Sequence, residues 1–396
     1  MKTIFKHIKG DRAIWAIVAV LAILSFMPVY SASTNLVYVV GNGSTTGHLI
    51  KHVALLIMGF GILYGVHKIP YRYFSGGSVL MLPIVILLLV VTLAQGTTIG
   101  GANASRWIRI PFVGVGFQTS TLAGLVAIVY AARYLAKNKE KKIVFKESLL
   151  QLWLPVGMIL ILILPANFST TAIIFSMIIM LVFIGGYPIK YIANILGIGI
   201  VGLGLFILVI KAFPDAMPNR LSTWESRIEG FFNSENQPEN YQVEKAKIAI
   251  ATGGPFGKGA GKSVQKNFLP QSSSDFIYAI IVEEYGMLGA LLVIFMYFLL
   301  LFRIIIAAKK ATTIFATLLV IGVGLPIIFQ AIINMAVAVN LFPVTGQTLP
   351  LISSGGTSIW MTCFAIGMVL SVSASKHETE ESILDDNPLD ILHETI

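Results

Sequence analysis

Charge is scarce in this chain. Only 12% of its 396 residues are Asp, Glu, Lys or Arg, whereas 56% are hydrophobic. Soluble domains carry about 25% charged residues, so a water-soluble globule is excluded. Cysteine is scarcer still, because Cys363 stands alone. No intrachain disulfide can form, no cysteine-based metal site exists, and a thiol in so apolar a segment suits inert packing. The six histidines are scattered without ligand spacing. The alternating ten-residue segments of a membrane β-barrel are also missing. Helices remain, since they satisfy every backbone polar group within lipid. The net charge of +9 is met by anionic lipid at the inner surface and calls for no nucleic acid.

What the chain does have is apolar runs near the ~20 residues that span a bilayer. Ten occur, near 13–31, 49–67, 77–95, 114–136, 149–165, 169–186, 190–211, 275–302, 312–340 and 353–375. The expected fold is all-α and polytopic. About ten transmembrane helices form one domain over residues 1–376, with a long extracytoplasmic loop, 212–274, between helices 7 and 8. Ser31-Ala32-Ser33 looks like a signal-peptide cleavage site, but the apolar core before it is longer than a signal core, so the first run is read as retained. Glu378, Glu380, Glu381, Asp385, Asp386, Asp390 and Glu394 crowd the end of the chain. Residues 377–396 are therefore expected to be a disordered acidic cytoplasmic tail.

Lys and Arg placement gives the orientation. With the N-terminus inside, the cytoplasmic side receives Lys2, Lys6, Lys9 and Arg12, then Lys68 and Arg72. The cluster from Arg133 to Lys146 follows, and later Arg303, Lys309 and Lys310. Both termini are then cytoplasmic in the inner membrane. Arg106, Arg109 and the cations of loop 212–274 fall on the opposite side, against the rule, which makes them candidates for function.

Asp275 is the single acidic residue between Glu244 and Glu283, and it stands where a stretch rich in Lys, Gly, Ser and Gln meets an apolar run. A carboxylate among cations at the bilayer surface suits proton transfer beside a lipid-linked phosphate. Asp is equally a favoured helix N-cap. Upstream, Gly257-Lys258-Gly259-Ala260-Gly261-Lys262-Ser263 imitates a phosphate-binding loop. The nucleotide pattern requires glycine at position 256 and a preceding strand; this chain has Phe256 and no strand pattern. Its glycines still allow backbone N–H groups to approach an anion. Lys258, Lys262 and Lys266 would share one face of a helix; the alternative is a solvated basic loop.

Glu283 and Glu284 fall inside the eighth apolar run, where ionisable groups pair or line a cavity. A supporting polar network holding loop cations is the favoured reading. Ser353 and Ser354 open the tenth helix, either as an anion site on free N–H groups or as an ordinary cap. Asn334 and Gln330 suit inter-helix hydrogen bonds.

Several segments together resemble the FtsW/RodA/SpoVE family, the SEDS peptidoglycan glycosyltransferases. They are Gly253-Gly254-Pro255-Phe256-Gly257-Lys258-Gly259, Leu269-Pro270, Ser274-Asp275-Phe276-Ile277-Tyr278 and Glu283-Glu284-Tyr285-Gly286. Phe342-Pro343-Val344-Thr345-Gly346-Gln347-Thr348-Leu349-Pro350 with Ser353-Ser354-Gly355-Gly356, Ala104-Ser105-Arg106-Trp107 and Tyr241-Gln242 complete the set. The details lie nearer the FtsW branch. The resemblance implies polymerisation of lipid II into glycan strands at the outer face of the membrane, during septal wall synthesis. It implies Asp275 as the essential aspartate. Arg106 is the first candidate for the pyrophosphate, because guanidinium binds phosphate bidentately. Lys262 and Lys266 follow, then Arg109 and Lys258, with Gln242, Ser353 and Ser354 as further substrate contacts.

The implied partners are a class B penicillin-binding transpeptidase and other division proteins. No resident cofactor is expected, and a divalent cation is left open. A lipid flippase or a non-enzymatic division scaffold are the competing classes. Relatives often carry Gln-Pro-Ser-Glu-x-x-Lys where this chain has Thr121 and Gly124 in place of the acid and the lysine. They often carry Pro-Asp-x-Gly-Thr where it has Asn167.

The topology is testable in a Cys363→Ser background. Glu235→Cys is expected to react with an impermeant thiol reagent on intact cells, and Lys139→Cys only after lysis. The reverse pattern would overturn the orientation.

Overall fold

A computed structural model describes residues 9–38, 43–95, 98–99, 102–103, 107–109, 116–212, 238–269 and 272–385. Among them, nine helices are long and apolar enough to cross a membrane, and a tenth, Phe168–Ile184, is shorter. In chain order they are α1 (Arg12–Tyr38), α2 (Thr45–His67), α3 (Arg72–Gln95), α4 (Thr119–Lys137), α5 (Phe145–Ile163), α6 (Phe168–Ile184) and α7 (Ile189–Ala212). After the short α8 (Pro238–Gly253) come α9 (Ile277–Lys310), α10 (Ile314–Ala338) and α11 (Gly356–Asp385). The chain is an integral membrane protein of the expected all-α class.

Local sequence explains most boundaries. Ser44, Asn167 and Thr313 cap α2, α6 and α10, each accepting a backbone N–H of the first turn. Pro28, Pro83 and Pro326 lie inside α1, α3 and α10, where neighbouring helices tolerate the lost hydrogen bond. Small residues bring helices together, because apolar burial against lipid drives little association. A Cβ on Gly367 of α11 would stand 2.8 Å from the Val66 Cβ of α2.

Helices alternate in direction, so one end of the bundle collects the C-terminus of α1, the N-termini of α9 and α11, and the C-terminus of α10. This end also holds two short antiparallel strand pairs, β1 (Thr98–Ile99) with β2 (Ala102–Asn103) and β3 (Trp107–Arg109) with β4 (Gly116–Gln118). At the other end Arg303 of α9 is paired with Asp11, its Nε 2.9 Å from Oδ2.

Three departures from the sequence expectations have physical causes. The loop 212–274 contains α8, and Gly253 at its end packs on the α9 backbone: a Cβ there would reach 2.1 Å from the Val282 carbonyl oxygen. The helix of α11 runs on through Asp385 into the tail expected to be disordered, a segment whose Glu residues are good helix formers. Third, α9 is broken at Gly286, which has φ 66° and ψ −162°.

That break is spliced by the preceding loop. Met287 and Leu288 donate their N–H groups to the carbonyls of Gly254 and Pro255. Lys258 and Gly259 in turn donate theirs to the carbonyls of Glu283 and Glu284. A side chain at 286 would sit 2.4 Å from the Gly257 nitrogen, so only glycine permits both the positive φ and the close approach. Backbone groups freed by the break thus find protein partners, as they must near lipid.

The packing argument predicts opposite outcomes for two glycines. Gly367→Ala is expected to destabilise the bundle by about 1–3 kcal/mol through overpacking. Gly61→Ala, with open space at its Cβ position, is expected to be neutral or to stabilise by up to about 1 kcal/mol. Thermal unfolding in detergent measures both, and equal behaviour of the two variants would contradict the packing.

Candidate active site

The phosphate-loop lookalike is folded inward around a carboxylate of the protein itself. Gly257, Gly259 and Gly261 all have positive φ, which excludes the continuous helix that would have aligned the three lysines. Glu283 is fully buried. Its oxygens accept the N–H groups of Val264 (3.1 Å) and Gln265 (3.2 Å), the Ser263 hydroxyl, and the Lys258 ammonium at 2.7 Å. The loop thus gives Glu283 the side chains of Lys258 and Ser263, while the backbone donors to its carboxylate, Val264 and Gln265, lie just past the glycines. Glu284, also buried, accepts the Ser31 hydroxyl from α1 and the Ser263 N–H at 3.3 Å.

The three lysines have separate fates. Lys258 is spent on Glu283, with its side chain 31% exposed. Lys266 reaches the Ser31 hydroxyl (3.1 Å) and the Gly261 carbonyl (2.7 Å). Lys262 is exposed. Gln242 lies half-buried on α8, beside Lys245, whose ammonium stands 5.2 Å from the Tyr241 ring centroid. Arg106 lies outside the described residues. Arg109 belongs to β3, where its backbone pairs with Gly116.

Asp275 ends a tightly braced segment. Ser272 donates to the Ala32 carbonyl of α1 (3.3 Å), next to the Ser31 that Lys266 touches. Ser273 accepts both the N–H and the hydroxyl of Ser354, each at 2.9 Å. The Ser274 carbonyl accepts the Ser353 hydroxyl at 2.6 Å. The Asp275 carbonyl accepts Nδ2 of Asn334 at 2.8 Å. Helix α9 begins at Ile277, with Phe276 rather than Asp275 at its N-cap position. A Cβ on Gly346 would be 3.5 Å from Asp275 Oδ2, so the carboxylate faces the α10–α11 loop at a point that bears no side chain.

Ser353 and Ser354 are corrected by this geometry. Their hydroxyls, and the Ser354 N–H, are committed to the 273–274 backbone, and α11 starts only at Gly356. They brace the aspartate segment instead of presenting an open anion site. Thr357 extends the brace: its hydroxyl donates to the Gly116 carbonyl (2.9 Å) and accepts from the Gln118 N–H (3.2 Å). That contact draws the strand pair carrying Arg109 to the same end of the bundle. Sequence reasoning missed Gly346 and Thr357 as site residues; Gly346 lies within the Phe342–Gly356 segment and Thr357 directly follows it, which was the signal available.

The positions that depart from relatives also have structural explanations. Thr121 donates to the Gln118 carbonyl at 2.7 Å. A Cβ on Gly124 would stand 2.7 Å from Ile174 Cδ1, so Ile174 occupies the room a lysine would take. Asn167 caps α6, its Oδ1 3.2 Å from the Thr170 N–H. Thr121, Gly124 and Ile174 border a mostly apolar cavity of about 110 Å³ that Gln330 and Gln347 also line. Among the described residues no group of three or more His, Cys, Asp or Glu converges as a metal site would.

Among the described residues, a bundle of nine membrane-length helices and one shorter apolar helix, with a braced aspartate just ahead of a broken helix, defines the class. Residues 11–378 match the family model FTSW_RODA_SPOVE, described as cell cycle protein, and the chain belongs to this family. It is 32% identical over 351 residues to a protein of Hydrogenovibrio crunogenus named probable peptidoglycan glycosyltransferase FtsW, covering 87% of this chain and 85% of that one. A protein of the same name from Enterococcus hirae is 30% identical over 382 residues, covering 93% and 94%. Among solved structures, one describing the coordination of polymerisation and crosslinking by a peptidoglycan synthase complex has a TM-score of 0.70 at 24% identity, over 93% of this chain and 98% of that one. Rod shape determining protein RodA of Thermus thermophilus has a TM-score of 0.64 at 23% identity, over 93% and 97%. These two establish the fold.

The wrapped carboxylate predicts a local defect. Glu283→Ala leaves the partly exposed Lys258 ammonium unpaired and strips several loop N–H groups of their acceptor, a change that costs about 1–3 kcal/mol. Amide exchange over 258–266 is expected to accelerate at least ~10-fold, while Lys262→Ala leaves it unchanged. Unaltered exchange in Glu283→Ala would contradict the wrap.

Proposed function

We propose that the chain is a peptidoglycan glycosyltransferase that polymerises lipid II, with Asp275 as general base. Relatives at 30% identity or more over most of the chain carry the enzyme's name. The observation that carries the assignment to Asp275 is its bracing: helices α1, α10 and the approach to α11 all spend hydrogen bonds on four consecutive residues, 272–275. Catalytic groups require positions held to about half an ångström.

The donor is a sugar α-linked to a lipid pyrophosphate, and the product bond is β-1,4. One inverting displacement therefore suffices. Asp275 takes the proton of the acceptor hydroxyl as its oxygen attacks the anomeric carbon. The bond from that carbon to the pyrophosphate breaks, and its electron pair leaves with the lipid pyrophosphate. Positioned proton transfer contributes roughly 10²–10⁴-fold. Positive charge must meet the departing pyrophosphate. Arg106 is the leading candidate, followed by Lys262 and Lys266, then Arg109. Lys258, held by Glu283, contributes through the fold of the loop. A divalent cation carried by the pyrophosphate would add to this charge.

The proposed setting follows the family resemblance. The protein works in the cytoplasmic membrane at the septum, with both termini inside and the braced end outside. Its partner is a single-helix class B transpeptidase, bound through lipid-facing helices and external loops. Co-purification in mild detergent checks the complex; a fully active chain that never binds such a partner would contradict it.

The assay for the reaction is purified chain plus partner with lipid II, read as glycan on a gel. Asp275→Asn keeps the side-chain shape and is expected to lower polymer formation by at least ~10²-fold with folding and partner binding intact. Unchanged polymer formation would overturn the base. A flippase would instead move labelled lipid across vesicles without making polymer, and a scaffold would do neither. Arg106→Ala is expected to lose more activity than Arg106→Lys, since lysine keeps the charge without the planar fork; turnover equal to the parent would remove Arg106 from the site.

A further inference from the structure

Asn334 is a polar amide on an apolar helix, 1% exposed, one turn from the end of α10. A buried amide is costly unless its hydrogen bonds are made. Its Nδ2 donates to two carbonyl oxygens, that of Asp275 at 2.8 Å and that of Gln347 at 2.7 Å. Both partners can only accept, so nitrogen and not oxygen must face them, and the amide orientation follows from chemistry. One amide therefore joins the backbone of Asp275 to the loop that its carboxylate faces, because Gln347 adjoins Gly346.

The placement of this bond differs from the others in the brace. Ser353 and Ser354 hold the carbonyls of Ser274 and Ser273. Asn334 holds the carbonyl of Asp275 itself, one bond from the Cα that bears the carboxylate. Loss of that anchor would let this Cα shift, and the carboxylate with it, relative to Gly346. Gln330, one helical turn earlier on α10, provides a matched comparison. It also donates twice, to the carbonyl (3.0 Å) and hydroxyl (3.1 Å) of Thr348, but both of its bonds end on the α10–α11 loop.

We infer that Asn334 is a positioning residue for glycosyl transfer: by bridging the Asp275 and Gln347 carbonyls it sets where the Asp275 carboxylate stands, and so governs kcat without touching substrate. The inference rests on the reading of Asp275 as the base. A misplacement of about 1 Å at a reacting group costs on the order of 10²-fold in rate, whereas removal of an inter-helix hydrogen bond elsewhere costs stability but leaves the chemistry of the folded fraction alone.

The test compares Asn334→Leu, Asn334→Ser, Gln330→Leu and Asp275→Asn in the full chain with its transpeptidase partner, using lipid II. Asn334→Leu removes both donors at similar size; Asn334→Ser retains one short hydroxyl donor and serves if the leucine variant fails to accumulate. Either is expected to lower kcat about 10–100-fold, with KM for lipid II within about twofold of the parent. Gln330→Leu is expected to keep kcat within about threefold. In an Asp275→Asn background, Asn334→Leu or Asn334→Ser is expected to add no further loss, because the group it positions is already gone. Equal losses in the Asn334 and Gln330 variants, a loss expressed in KM, or a full further loss in the Asp275→Asn background would each overturn the positioning role. Asp275→Asn inactive with both Asn334 variants at the parent kcat would overturn that role alone. Asp275→Asn as active as the parent would overturn the base, and the positioning role with it.

Discussion

The break in α9 at Gly286 is the constraint on which the functional end of the molecule depends. A helix interrupted near lipid leaves N–H and C=O groups that water cannot reach, each costing several kcal/mol if unpaired. The loop from Gly254 to Gly259 meets that need with four backbone hydrogen bonds. Once the loop is fixed there, the next turns of chain lie over Glu283, and the N–H groups of Val264 and Gln265, just past the glycines, close on its carboxylate. Lys258 completes the charge balance, and the chain emerges toward Asp275 along α1 through Lys266 and Ser272.

This order of causes separates two kinds of charged residue that look alike along the chain. Glu283, Glu284 and Lys258 build the wall; Asp275 stands at its edge, its carboxylate facing Gly346. The same distinction applies to the polar residues near α11. Ser353, Ser354 and Asn334 spend their donors on backbone carbonyls, which fixes the aspartate segment.

The helical bundle was legible because apolar runs of bilayer length have few other outcomes; most observed boundaries fall within five residues of those runs, while α1, α9 and α11 continue seven, eight and ten residues past theirs. The break at Gly286 was not, since an isolated glycine within an apolar helix is ordinary and its positive φ arises only from the approach of Pro255 and Gly257. Spacing misled at Lys258, Lys262 and Lys266: a four-residue interval implies a shared face only on a helix, and the intervening glycines turn the chain. Glu283 and Glu284 were conspicuous as acids in an apolar run, but their partners are set by tertiary contact alone. Asp275 drew attention as a lone carboxylate among cations. The cap reading gave way because helix α9 begins two residues later, at Ile277.

The central claim is that Asp275 receives the proton of the acceptor hydroxyl from within this brace. The most direct measurement is a structure of the Asp275→Asn chain with its partner and lipid II in the acceptor position. The account predicts the acceptor hydroxyl about 2.6–3.2 Å from the side chain at 275, with the Asn334 bridge to the 275 and 347 carbonyls intact. An acceptor hydroxyl lying beyond reach of residue 275 and beside another proton acceptor would contradict it.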